Sequence, residues 1–349
     1  MLMLGIESSC DETGAAIVEG KSNSKKVKLL SNIVASSLPL HAESGGIIPE
    51  SAAREQVKFI IPVINEAIEQ CSNLAIGDID AISVTYGPGL IGSLLVGVET
   101  ARALSYAWNK PLIPVNHLLG HIYANFIETE LDAKRYTLNP NIDFPAIALI
   151  VSGGHTDLIL MNGHGSIRWL GGTRDDAAGE ALDKVGRLLG LPYPGGPYIE
   201  KLASKGNPNK YKFPSPLINS SDFDFSFSGL KTAVLREVSA MKQLNNETIS
   251  DICASFQKAI IDVLVKKTLK AAEKYNAKSI LLGGGVAANE KLRSELILNT
   301  KYLIPDTEIF APQKFLCTDN AAMIAAAAFF NNKIVDWRKV DANPSLYFN

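Results

Sequence analysis

Residues 117–121 read HLLGH. His117 and His121 are four apart, so on a helix both rings leave the same face, with the spacing of the zinc-peptidase ligand pair. In that peptidase motif, H-E-x-x-H, a general-base glutamate follows the first histidine, whereas this chain has Leu118. A metal clipped here lacks the adjacent carboxylate that would activate water, which argues against hydrolysis. The alternative for such a pair is a core or surface pair without metal. A second kind of chemistry is offered by two glycine loops, VSGGHT (151–156) and LGGGVAAN (282–289). Glycine lets the backbone pass close to a phosphate, and amides at the head of a following helix then point at the anion. Such turns are also common as plain connections, and they do not say what happens to a bound nucleotide.

The elements that must carry these residues occur twice. MLGIESSCDETGAAIVEG (3–20) is an apolar strand, a small polar turn and a second apolar strand, and AIALIVSGGHTDLILMNG (146–163) has the same form. Further on, 79–104 runs strand, Gly-Pro-Gly turn, apolar helix, and 277–296 runs strand, triple glycine, helix. Two hairpins, each followed by a strand–loop–helix, predict two α/β halves of similar build with a cleft between them. The expected division is 1–124 plus 325–349 for the first and 125–324 for the second, with added helical material at 174–212.

Composition narrows the classes. At 349 residues and 46% apolar content the chain can bury large cores. Its 34 basic against 36 acidic residues give no global field for nucleic acid or an anionic membrane, so any such partner is met by a local patch. KSNSKKVK (21–28) reads as a solvated hairpin tip. The run AAMIAAAAFF (321–330) is half a membrane span and reads as a buried helix. Cys10, Cys71, Cys253 and Cys317 are scattered, without disulfide or zinc spacing. The opening MLMLGIESSCDETG enters a strand at once, which predicts no signal or transit peptide and a cytoplasmic setting.

Nine blocks together resemble the TsaD family of bacterial tRNA adenosine threonylcarbamoyltransferases. They are GIESSCDET (5–13), HAESGGIIPESAAR (41–54), GPGLIGSLLVG (87–97), NHLLGH (116–121), VSGGHT (151–156), DDAAGEALDKVGRLLGLPYPGGP (175–197), FSFSGLKTAV (225–234), GGGVAANEKLR (283–293) and TDNAAMIA (318–325). The resemblance implies an actin-like, hexokinase-like ATPase (ASKHA) fold of two lobes, each on a ribonuclease H-like core. It implies transfer of the threonylcarbamoyl group from threonylcarbamoyl-AMP to the N6 amine of adenosine 37 in tRNAs reading ANN codons, with release of AMP. Such acyl transfer needs a polarised carbonyl, a stabilised leaving phosphate and a placed amine, and no protein nucleophile.

Residue by residue, the resemblance adds Asp319 to His117 and His121 as a metal ligand, the metal being iron(II) with zinc as the alternative. Ile150, Val151, Ser152, Gly153 and Gly154 match the segment lining the adenylate and its phosphate. Asp183 matches the ribose contact, Gly196 and Glu200 the adenosine-side wall, and Asn289 the adenine-side contact, although an Asn at that place is also an ordinary helix cap. Asp11 and Glu12 match acidic positions of the first phosphate loop, able to orient the amine or a second cation, or to serve only the turn. Gln56 stands where many relatives have histidine, and Ile150 where archaeal and eukaryotic members have tyrosine. The implied partners are tRNA and the proteins TsaB and TsaE, with no membrane. A sugar-kinase-like phosphotransferase, a non-catalytic scaffold and a peptidase are the rival readings; the first two do not account for the histidine pair, and the third lacks its glutamate.

Overall fold

The computed structural model describes residues 1–72, 74–129, 141–241 and 243–348. The chain divides into two compact units, Met1–Arg135 with Pro312–Asn349, and Tyr136–Ala311.

The first unit contains strands β1 (Leu2–Glu7), β2 (Glu12–Glu19), β3 (Val27–Ser36), β4 (Ala81–Gly87), β5 (Leu112–Asn116) and β6 (Ile127–Glu128). Its helices up to this point are α1 (Leu38–Ser44), α2 (Pro49–Glu69), α3 (Ile91–Trp108) and α4 (His117–Tyr123). The sheet runs β5-β4-β1-β2-β3-β6; β1 is antiparallel to β2 and parallel to β4, which is parallel to β5. The turn carrying Lys21, Lys25 and Lys26 joins β2 to β3, and Lys28 lies within β3.

The second unit repeats this plan with β7 (Ala146–Val151), β8 (Thr156–Gly163), β9 (Ser166–Gly172), β10 (Ser279–Gly283) and β11 (Glu308–Phe310), in the order β11-β10-β7-β8-β9. Counted from its own first strand, each sheet contains the order 3-2-1-4-5, a hairpin-built antiparallel half joined to a parallel half, and the first sheet adds the short β6 outside its third strand. The second unit's helices are α5 (Ala178–Leu188), α6 (Gly195–Ala203), α7 (Ser228–Ser239), α8 (Asn246–Lys274) and α9 (Glu290–Leu303). Helix α10 (Ala321–Asn331) then returns to the first unit.

Side-chain alternation along β1 explains how its sheet is covered on both faces. Leu4 and Ile6 point to one side, into a core with Ile60, Val63 and Ile64 of α2 and Val98 of α3. Gly5 points to the other side, where a Cβ would lie 2.2 Å from the Ala321 carbonyl oxygen and 3.0 Å from the Ala325 Cβ. The missing side chain, with the alanines of α10, lets that helix lie directly on β1. Gly120 does the same between α4 and α10: a Cβ there would meet Ile324 at 2.7 Å. These two contacts fix where the head of α10 sits relative to α4.

The unit boundaries differ from the division expected at 124 and 324. β6 pairs with β3 and so carries the first unit on past residue 124. The returning segment joins it early, because Gln313 Nε2 donates to Thr129 Oγ1. Asp319 consequently lies in the same unit as His117 and His121.

Candidate active site

The parallel strands of the first sheet end together at their carboxyl edge. β1 ends at Glu7, and the turn beyond it carries Ser9, Asp11 and the start of β2 at Glu12. β5 ends at Asn116, whose side-chain oxygen accepts the Leu118 N–H at 2.8 Å and starts α4 with His117 as its first residue. At the head of α10 the Asn320 oxygen accepts the Met323 N–H, while its Nδ2 donates to the carbonyls of Leu316 and Thr318. That clamp holds the loop from which Asp319 projects.

His117 Nε2 and His121 Nε2 lie 3.5 and 3.3 Å from one Asp319 oxygen, Oδ1. One ligand atom from each of the three residues falls within 4.8 Å of the others. His121 is fully buried, and neither ring nitrogen has a hydrogen-bond partner. An imidazole left so costs about 1–3 kcal/mol per unpaired group unless something else engages it. Two imidazoles and one carboxylate in this grouping fit a first-row divalent ion with open coordination positions.

The surrounding charges fit a cation as well. Burial lowers the His117 pKa, but the carboxylates of Asp319 and Glu7 outweigh it and raise it to about 9. Burial and the Asp319 charge push Asp11 above the usual carboxylate range. Burial and then Asp11 push Glu12 up to about 8, with the Ser36 hydroxyl opposing. Burial, Asp11 and Asp319 drive the Cys10 thiol upward too. A divalent charge beside Asp319 would relieve each of these carboxylate repulsions.

Two residues that support this site have no role assigned to them by the sequence. Glu7 is fully buried; it accepts from the Ser9 N–H at 2.6 Å, from the Thr85 hydroxyl, and lies 3.2 Å from His117 Nδ1. Gln56, buried on α2, donates through Nε2 to the carbonyls of Ser8, Cys10 and Glu12 at 3.2, 3.0 and 3.0 Å. It therefore ties the turn carrying Asp11 and Glu12. The available signals were a lone acid closing an apolar strand and a glutamine on the buried face of an amphipathic helix.

In the second unit Ile150 and Val151 end β7 and are buried. The turn after them is closed by Ser152 N–H to the His155 carbonyl, and the Ser152 carbonyl accepts the Gly179 N–H from the head of α5. Gly153 and Gly154 face open space, with nothing within 4 Å of where their side chains would begin. Asp183 on α5 accepts the Gly195 N–H at 2.7 Å, and burial raises its pKa against the opposing N–H groups of Gly195 and Gly196. Glu200 on α6 accepts the Glu290 N–H at 2.8 Å. Asn289 caps α9 through Leu292 N–H and donates to Gln257. Asp183, Gly196, Glu200 and Asn289 thus gather around α6, and three of their side chains already hold backbone groups or a neighbour within the unit.

Duplicated 3-2-1-4-5 sheets, each with a hairpin turn and a strand-to-helix loop, define the actin-like, hexokinase-like class of α/β fold. Two solved structures share it: full-length HypF in a phosphate- and nucleotide-bound form (TM-score 0.60, 13% identity, 95% of this chain and 46% of that one), and HypF from T. kodakarensis (TM-score 0.61, 14% identity, 94% and 47%). The chain therefore spans just under half the length of HypF. Within the class, the chain belongs to the TsaD family of tRNA N6-adenosine threonylcarbamoyltransferases, whose family model matches residues 28–326. A relative bearing that enzyme's name in Moorella thermoacetica is 49% identical over 351 residues, covering 99% of this chain and 97% of its own. Another in Symbiobacterium thermophilum is 50% identical over 330 residues, covering 94% and 91%. No helix among the described residues is long and apolar enough to cross a membrane.

Proposed function

We propose that this transferase moves the threonylcarbamoyl group of threonylcarbamoyl-AMP onto N6 of adenosine 37 in ANN-decoding tRNA, with a divalent metal held by His117, His121 and Asp319. The observation supporting the metal is the buried His121 ring, both nitrogens without hydrogen-bond partners, 3.3 Å from Asp319. Iron(II) is the proposed ion and zinc the alternative, since the donor set suits both. When bound, such an ion supplies Lewis acidity toward a phosphate or carbonyl oxygen.

In the reaction a bond forms between N6 and the carbamoyl carbon, the bond from that carbon to the phosphate oxygen breaks, and the proton lost by N6 passes to the leaving phosphate or to solvent. AMP leaves. Glu12, with its pKa near 8, is mostly neutral at pH 7, which suits a hydrogen-bond donor and not a base. Asp11 beside it is assigned to orienting the amine, and Gln56 to keeping the turn in place. Ile150, Val151, Ser152, Gly153 and Gly154 are assigned to the adenylate phosphate, Asp183 to the ribose, and Gly196, Glu200 and Asn289 to the adenosine. TsaB and TsaE are the proposed partner proteins, and the cytoplasm the proposed site of action.

The test incubates the protein with TsaB, TsaE, threonylcarbamoyl-AMP and an ANN-decoding tRNA, followed by nucleoside analysis. Wild type should form the modified adenosine, and His117→Ala, His121→Ala and Asp319→Ala should each lose metal and product together. Product formation at wild-type rate by a metal-depleted variant would refute the metal assignment, and absence of product with wild type would refute the reaction.

A further inference from the structure

We infer that Glu7 is a positioning residue for the metal group: it accepts the Nδ1–H of His117 and so turns the ring's Nε2 lone pair toward Asp319 and His121. The inference rests on the metal reading above, but it concerns which nitrogen carries the proton and what enforces that.

Glu7 is held on every side. Its Oε1 accepts the Ser9 backbone N–H at 2.6 Å, and its Oε2 takes the Thr85 hydroxyl and faces His117 Nδ1 at 3.2 Å. A buried carboxylate has only acceptor sites, so the imidazole nitrogen beside it must carry a proton. The neutral ring then has its lone pair on Nε2, the atom on the Asp319 side. Ser9 Oγ, 3.1 Å from the same Nδ1, is a hydroxyl that can donate or accept and does not choose between the two tautomers. An outer carboxylate of this kind fixes ring orientation and raises the ligand's basicity, and its loss weakens metal binding about 10–100-fold.

Glu7→Gln makes the inference sharp, because the amide has one oxygen and one NH2. The Ser9 N–H is backbone and cannot turn away, so the amide oxygen must face it. The NH2 then faces Thr85, whose hydroxyl can rotate, and His117 Nδ1, which must give up its proton to accept. That drives the ring to the Nε2–H tautomer and blocks the atom needed for the metal.

The experiment uses the full chain in zinc-loaded form with 15N-labelled histidine, together with zinc titrations against a chelator at two pH values. The two pH values separate the lost hydrogen bond from the easier deprotonation of His117 that follows removal of a neighbouring carboxylate. Wild type should show His117 protonated on Nδ1 and zinc on Nε2. At the higher pH, where proton competition is smallest, Glu7→Gln should bind zinc roughly 10–100-fold more weakly, while Ser9→Ala stays within about five-fold of wild type, the scale of one neutral hydrogen bond. Zinc on Nδ1 in wild type, equal affinity in Glu7→Gln at the higher pH, or a larger loss in Ser9→Ala would overturn the inference. Should Glu7→Gln fail to fold, the wild-type nitrogen assignment decides alone. Wild type that takes up no zinc refutes the metal reading and the inference with it, whereas uptake undiminished by Glu7→Gln refutes only the inference.

Discussion

Metal uptake should depend steeply on pH, and the slope follows from the charges around His117. Its pKa stands at about 9 against an ordinary 6.5, because Asp319 and Glu7 together outweigh burial. Nε2 can bind a metal only after the ring has lost one proton, so proton and metal compete and affinity rises as pH approaches 9. Competition with a group of pKa 9 leaves the apparent affinity at pH 7 about 100-fold below its limit, and raises it about nine-fold between pH 7 and pH 8. A histidine at 6.5 would give about 1.3-fold over the same interval. Folding stability of the metal-free protein should run the opposite way. A raised histidine pKa stabilises the fold fully below 6.5, and that contribution is lost as pH rises through 9. The assay is a zinc titration against a chromophoric chelator from pH 6.5 to 8.5, corrected for the chelator's own protonation. Calorimetry in buffers of different ionisation enthalpy adds the proton count, expected at about one per zinc from His117 at pH 7. Affinity unchanged between pH 7 and pH 8, with no proton released, would refute the electrostatic reasoning.

Glu12→Gln should raise the melting temperature of the metal-free protein more at pH 9 than at pH 5. The folded state keeps the Glu12 proton up to about pH 8 and the unfolded state only to about 4.5, so wild-type stability falls as pH rises through that window, a loss the amide avoids; an equal shift at both pH values would refute this. Asp183→Ala should weaken binding of an unreactive adenylate analogue by about 1–3 kcal/mol in calorimetry without altering metal content, and unchanged binding would remove Asp183 from the site. Gly5→Val puts side-chain carbon where a Cβ already lies 2.2 Å from the Ala321 carbonyl, so α10 must shift. It should cost about 1–3 kcal/mol or more in chemical denaturation and weaken zinc binding through Asp319; wild-type stability and affinity would show that α10 is not held there.

What could be read from the sequence was local. Strand alternation, glycine turns and helix periodicity span a few residues each, so both hairpins and both strand–loop–helix units were legible, and from them the doubled fold. His117 and His121 were legible for the same reason, since four residues apart on one helix are neighbours whatever surrounds them. Asp319 entered only through family resemblance, and its approach to α4 shows why: it depends on Gly5 and Gly120 leaving room for α10, contacts between segments far apart in the chain. Glu7 was harder still, because an acid at the end of an apolar strand reads as the start of a polar turn, and only the fold puts Thr85, Ser9 and His117 around it. The continuation of the first unit past residue 124 was not legible because β6 is two residues long and carries no periodic signal. The Asp319 and Glu7 carboxylates therefore reach the histidines only through the packing of α10 on β1 and the sheet order β5-β4-β1. Gly5→Val and Asp319→Ala should accordingly converge on one defect, lost metal, while the glycine change should in addition disrupt the packing of α10 on β1.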